Sequence, residues 1–246
     1  MTAGEQTNTV MAATAQGARS TLSMADLQLW LSAPRLNTYL AACNQDRDLA
    51  LELYCWNSQL AAAALVDTCH LEVALRNAYD RELSKRFPNW SVDPDSDLFR
   101  RTQGHGRAVT KQVELNKGSV AALTAAKRGL GATPNHGKVL AATTFGFWVK
   151  LTDRDRTATF WTPMLRRAFH GTPTRGEVHE RVARINKFRN RLAHNEPVFS
   201  TTSGLHDRLR DIEELFDWVA PSAAAHVRAT STVPSLIAQC PVSGLL

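Results

Sequence analysis

Apolar residues recur at three- and four-residue steps along most of this chain, the period of an amphipathic helix. From Asp46 to Phe87 there is neither glycine nor proline, and Leu49, Leu53, Trp56, Leu60 and Ala64 keep that period, which predicts one long central helix. Ahead of it, Met24 to Leu31 reads as a short helix, and Pro34, suited to a first turn, opens a second running to about Cys43. The two predict an N-terminal hairpin. Past Pro88, Pro94 and Gly104-His105-Gly106 comes an irregular basic connection, then helices over Arg107 to Asn116 and Val120 to Arg128. Lys138 to Val149 ends in threonine and aromatic residues that would suit a strand. No second strand pattern exists to pair with it, so it is assigned as a buried helix. Asp155 to Phe169 reads as a further helix, with Trp161, Leu165 and Phe169 spaced by four despite Pro163. Thr174-Arg175-Gly176-Glu177 fits a capping box that starts another helix. Pro197 disfavours helical geometry at Glu196, so that helix should stop near Asn195. Gly204 to Val219 is one clear helix, followed after Pro221 by weaker helical segments with a packing role. The fold class expected is all-α.

Length and composition narrow the organisation. At 246 residues and 43% hydrophobic, the chain can bury one substantial core. Residues 1–22, rich in Thr, Ala, Gly and Gln, read as a disordered tail, and 23–246 as a single helical domain. The start of the chain lacks the pattern of a secretory signal. The uncharged stretch Leu53 to Val66 is interrupted by Asn57, Ser58 and Gln59 and is shorter than a bilayer span of ~20 residues. A soluble, cytoplasmic protein with no membrane partner is expected. Cys43, Cys55, Cys69 and Cys240 are widely spaced, which signals neither a disulfide framework nor a structural metal.

Charge adds a candidate partner. The net charge is +6, and Arg100 to Lys138 holds eight Lys/Arg against one acid, Glu114. Arg100, Arg101, Arg107, Lys111 and Lys138 are candidate contacts to an RNA backbone, because neutralising phosphates releases counterions. An exposed, solubilising basic face is the plainer alternative.

The helix after Thr174 carries the candidate chemistry. Counting 100° per residue from Val178, residues Val182, Ile185 and Leu192 fall within about 40° of it and form a core stripe. Arg189 lies about 20° from Val178, in the middle of that stripe, whereas Arg184, Lys187 and Arg191 lie opposite. An unpaired buried guanidinium is costly, so Arg189 requires an acidic partner, an anion or an interface pocket. His194 belongs to the last turn, where a histidine more often caps the helix than catalyses. Arginine and histidine together nevertheless suit phosphodiester cleavage by the 2′-hydroxyl of RNA: the histidine moves a proton and the guanidinium bears charge on the phosphoryl oxygens. Glu72 and Arg76 lie four apart on the long helix, the spacing of an ordinary surface salt bridge.

Arg189-Asn190-Arg191-Leu192-Ala193-His194 resembles the Arg-x4-His signature of the HEPN superfamily of ribonucleases. The wider string Arg189 to Phe199 resembles its Abi-like, abortive-infection branch. So do Leu53-Tyr54-x-Trp56-Asn57, Leu71 to Asn77, Gly137-Lys138-Val139, Phe145-Gly146-Phe147-Trp148 and Trp161-x-Pro163-x-Leu165. The resemblance implies a HEPN-like helical bundle with a long central helix that dimerises, so that two copies of the motif meet across a twofold axis. It implies that Arg189 and His194 are catalytic, that Asn190 supports them, and that cleavage needs no metal and no cofactor. Products would be a 2′,3′-cyclic phosphate and a 5′-hydroxyl. The family string has a second histidine where this chain has Asn195, and Glu196 stands where some related toxins carry a modified tyrosine. Control by that modification is not expected, and Asn195 and Glu196 are taken as supporting residues. The resemblance extends to Glu72 and Arg76, giving Glu72 a role in orienting Arg189 or Arg76 and Arg76 a role in attracting RNA. It also leaves room for an antitoxin or regulator as a partner.

Two functional classes follow: a phage-defence or toxin-type RNA endonuclease, and a non-catalytic RNA-binding or interaction module on the same fold. A metal-dependent hydrolase is disfavoured because no His/Asp/Glu cluster has ligand spacing. On an ideal helix Arg189 and His194 point about 140° apart. The composite site expected depends on the helix ending at His194 and on a second subunit.

Overall fold

A computed structural model describes residues 21–93, 96–99, 107–199 and 204–246, and of 107–115 the backbone alone. All regular structure among these residues is helical. The hairpin of α1 (Met24–Leu31) and α2 (Ala33–Ala42) leads into α3 (Arg47–Ser84), which at 38 residues is about 57 Å long. Then come α4 (Arg107–Arg128), α5 (His136–Ala142), α6 (Phe145–Lys150), α7 (Arg175–Ala193), α8 (Leu205–Val219), α9 (Pro221–Thr230) and α10 (Val233–Ala238). None is long and apolar enough, among the described residues, to cross a membrane.

The bundle is organised on α3. Asp46 caps it by accepting from the amides of Asp48 and Leu49, both at 3.0 Å, and nothing within it removes a backbone donor. Its buried stripe alternates large residues, Leu53, Leu60, Leu71, Leu75 and Tyr79, with Ala50, Ala61, Ala64 and Ala78, so that neighbouring helices approach closely between the bulky side chains. Helices α2, α7, α8, α9 and α10 all pack against it. The helix, its start and the N-terminal hairpin agree with the sequence reading.

Three segments differ from it. Arg107 to Arg128 is one helix, not two: Gly118 weakens a helix without ending it, and the space it leaves is used, since a Cβ there would come 2.9 Å from the Lys150 ammonium. Lys138 to Val149 is broken into α5 and α6 at Thr143 and Thr144, both extended. The Thr143 hydroxyl caps the break by donating to the Leu140 carbonyl at 2.7 Å, and the turn lets Phe147 stack on Trp90 while Trp148 meets it edge-on. Asp155 to Phe169 is not a continuous helix but a chain of tight and wide turns, Arg154–Arg156, Thr157–Trp161 and Leu165–Ala168. Pro163 cannot donate within a helix and interrupts it. Arg156 is buried there, donating to Asn116 and Ser119 at 3.0 Å each, with its guanidinium 4.9 Å from the Phe160 ring centre.

The N-terminal hairpin is turned by a strained residue. Ser32 has φ 63° and ψ 150°, a combination that glycine alone adopts without cost. Leu27, Leu31, Leu36 and Tyr39 hold it there by burying on both sides of the turn. Ser32→Gly should therefore raise stability by about 1 kcal/mol, the released strain less the extra unfolded-state entropy of glycine. Thermal unfolding reads this directly, and a lowered midpoint would contradict the strain.

Candidate functional site

The site region is the C-terminal half of α7 and the chain leaving it. Thr174 and Glu177 form the expected capping box, and Val178, Val182, Ile185, Phe188 and Leu192 are buried. Arg181 and Arg184 bind α8, the former through Glu214 and the latter through both oxygens of Asp211 at 2.8 and 2.6 Å. Arg189 turns instead to α3. Its Nε lies 3.9 Å from Glu72 Oε2, with side chains 36% and 16% exposed respectively. That distance makes an ion pair but no hydrogen bond, and the buried Nε has no hydrogen-bond partner. Burial pushes the Glu72 carboxyl above its usual range, while Arg189 and then Arg76 draw it back. A guanidinium is thus held in the seam beside a carboxylate that only partly answers it.

The end of α7 is fixed by polar contacts with α3. Asn195 adopts the left-handed conformation, φ 49°, which asparagine tolerates better than most residues. Its Nδ2 donates to Ser58 Oγ at 2.8 Å and to the Tyr54 hydroxyl at 3.4 Å. Asn57, fully buried, accepts from the Val198 amide at 2.8 Å and donates to the Glu196 carbonyl at 3.3 Å. Arg191 donates to Glu196 Oε2 at 3.1 Å and to the Pro197 carbonyl at 2.8 Å. His194 occupies the C-cap, and its carbonyl accepts from Arg35 Nη2 at 3.2 Å. Its side chain is exposed and makes no hydrogen bond among the described residues.

The residues expected from the sequence are therefore brought together in part. Glu72, Arg76 and Arg189 share the α3/α7 seam; Asn195 and Glu196 fasten the helix end; Asn190 is exposed on the last turn. Arg189 and His194 make no contact with each other within the chain. Lys138 is exposed on α5. Arg100 and Arg101 lie outside the described residues, as do residues 1–20 of the expected tail and the side chains of Arg107 and Lys111. Asn57, Ser58, Tyr54 and Arg35 were not among the site residues expected. Asn57 had a signal: an amide on the apolar stripe of a long helix requires buried partners. Arg35 had none, because its partner is a backbone carbonyl 159 residues away.

Two other features were weighed. Ser91 Oγ lies 2.7 Å from His136 Nδ1, whose Nε2 lies 2.8 Å from Asp80 Oδ1, a relay of the nucleophilic type. Ser91 is 1% exposed, and Asp80 Oδ1 also accepts from Trp90 Nε1 at 2.8 Å and Ser84 Oγ at 2.9 Å. The relay is a clasp holding the loop after α3 and the start of α5 to α3. A mainly apolar cavity of about 540 Å³ lies among α8, α9 and α10, and no candidate residue lines it.

Asn57→Ala strips the Val198 amide and the Glu196 carbonyl of their side-chain partner and should cost about 1–3 kcal/mol in chemical denaturation. Ser58→Ala, at a half-buried hydroxyl, should cost less than half of that. Because the folded protein holds the Glu72 proton more tightly than the unfolded chain does, the group's contribution to stability falls as pH rises above its ordinary carboxylate range. Glu72→Gln should accordingly unfold at higher urea than the wild type at pH 7, the two converging below about pH 4. A variant less stable at pH 7 would show that the ion pair outweighs burial. No protein-family model, curated protein or solved structure matches this chain, so its function is read from the site's own chemistry.

Proposed function

We propose that this protein is a metal-independent RNA endonuclease of the phage-defence or toxin type. The observation that carries the reading is the Arg189 guanidinium, held in the α3/α7 seam with its Nε lacking a hydrogen bond and its carboxylate partner at 3.9 Å, near a helix end that leaves His194 exposed. A phosphate oxygen would supply the hydrogen bond that Glu72 does not. In the reaction, the His194 imidazole takes the proton of the 2′-hydroxyl and the 2′-oxygen bonds to phosphorus. Arg189 bears the charge gathering on the non-bridging oxygens, and the 5′-oxygen leaves with a proton from an acid. The products are a 2′,3′-cyclic phosphate and a 5′-hydroxyl. Glu72 and Arg76 position Arg189.

A second copy of the chain completes the site in this reading. Arg189 and His194 diverge on α7, so one RNA phosphate reaches both most readily where two copies of the helix end meet. An exposed stripe on α3 suits such a contact: Ala62, Val66, Cys69 and Val73 fall within about 40° of one another, and Val66 and Val73 are 55% and 45% exposed. Arg76 continues the stripe and Glu72 flanks it, placing the contact beside Arg189.

Incubation of mixed-sequence RNA in EDTA tests the proposal. Wild type should cleave it to cyclic-phosphate ends, and Arg189→Ala and His194→Ala, folded as judged by circular dichroism, should be slower by about 100-fold or more. Equal rates in all three would sink the catalytic reading. Binding that Arg189→Ala abolishes, with no cleavage by wild type, would leave an RNA-binding module. Mixing the two inactive variants should restore part of the activity, since each chain supplies what the other lacks; no recovery in chains shown to exchange would place the reaction within one chain.

A further inference from the structure

The N-terminal hairpin brings an aromatic side chain and a cation to the helix end that carries His194. Trp30, the penultimate residue of α1, is 56% exposed, although indole is among the side chains whose exposure to water is least favourable. It is not adrift: its ring meets Tyr54 edge-on, with centroids 5.4 Å apart and planes at 80°. Tyr54 in turn packs edge-on against buried Tyr39 at 5.4 Å, and its hydroxyl lies 3.4 Å from Asn195 Nδ2, the residue after His194. An edge-on contact of this kind supports the indole while leaving a face of the ring open. On the next helix Arg35 reaches the His194 carbonyl at 3.2 Å through one terminal nitrogen, and its other N–H groups make no hydrogen bond among the described residues. The one acid a turn from Trp30 on the same helix, Asp26, is occupied by the amide and hydroxyl of Ser23. Between Trp30 and Arg35 stands Ser32, whose backbone is held in a conformation it would not choose. The strained turn therefore sets the relative placement of the ring and the guanidinium, and both are tied to the His194 end of α7.

The geometry points to a subsite for single-stranded RNA next to the reacting position: Trp30 stacks an unpaired base, and Arg35 engages the adjoining phosphate. This rests on the RNA-cleaving reading and specifies its substrate as unpaired RNA. The ligand class follows from the pairing of groups. A flat aromatic face beside a cation matches a nucleotide's base and phosphate, and a base inside a duplex cannot offer its face. Stacking is indifferent to base identity, so the subsite selects strandedness more than sequence.

The test uses the full chain with a fluorescent 12-nucleotide 2′-O-methyl RNA, which cannot be cleaved, as a single strand and as a duplex. In anisotropy titrations Trp30→Ala should weaken binding of the single strand by about 5- to 100-fold, Trp30→Phe should keep most of it, and binding of the duplex should not change. With cleavable RNA, Trp30→Ala should raise KM by a similar factor and leave kcat within about twofold. Single-strand binding by Trp30→Ala equal to wild type overturns the subsite. So does an equal loss in the Ala and Phe variants on both strands, the signature of a merely structural role. Wild-type cleavage with no effect of Trp30→Ala removes the subsite and leaves the ribonuclease reading standing. Trp30-dependent binding without cleavage keeps the subsite and removes the ribonuclease reading. Wild type that neither binds nor cleaves removes both.

Discussion

A guanidinium on the seam between two packed helices is the constraint around which this bundle is arranged. Arg189 sits where the stripe of Val178, Val182, Ile185 and Leu192 would otherwise continue in hydrocarbon, and its counter-charge comes from Glu72 on α3. The pair does not stabilise the seam. Burial still pushes the Glu72 carboxyl upward after the attraction of two arginines is included, so desolvation is the larger effect. Stability comes from the apolar contacts around the pair and from Arg181 and Arg184, which bind α7 to Glu214 and Asp211 of α8. An apolar residue at position 189 would serve packing at least as well, so a charge there is a cost carried by the rest of the fold.

The helix stop is equally over-determined. Proline at 197 is enough to end a helix, yet α7 is also closed by a left-handed asparagine, by a buried amide at Asn57 that grips the two chain segments following it, and by Arg191 folded back onto Glu196 and Pro197. Each of these reaches from a different direction. Together they leave His194 little freedom in its backbone while its ring remains in solvent.

The period of the apolar residues made α3, the N-terminal hairpin and the limits of α7 legible, because each of those helices has one buried stripe and recognisable ends. It misled where burial is all-round or where polar groups bury. Phe145, Phe147 and Trp148 lie on more than one face of any helix, so periodicity could not register the break that Thr143 and Thr144 make. Arg156 reads as a surface cation in the sequence and is buried among aromatic rings, which is why the turns around it have no helical rationale. At the site, the position of Arg189 on an apolar stripe required a partner, and spacing alone could not single out Glu72 from its surface-pair alternative with Arg76. The contacts of Arg35 and Trp30 join segments far apart in sequence, and no local pattern encodes them.

The two halves of the candidate site differ in the way the two halves of the proposed reaction would require. A group that stabilises developing charge works best when it is fixed before the charge arrives, in surroundings where water cannot compete. Arg189 has that setting, half-buried and pinned between helices. A group that takes up and returns a proton must reach two different oxygens and re-equilibrate with solvent, and His194 has an open ring on a fixed backbone. The roughly 140° between their positions on α7 is what allows one residue to lie in a seam and the other in water. The same divergence means that within one chain neither position serves both requirements, so the rigidity of the helix end matters most if the missing half of the constellation arrives on another copy.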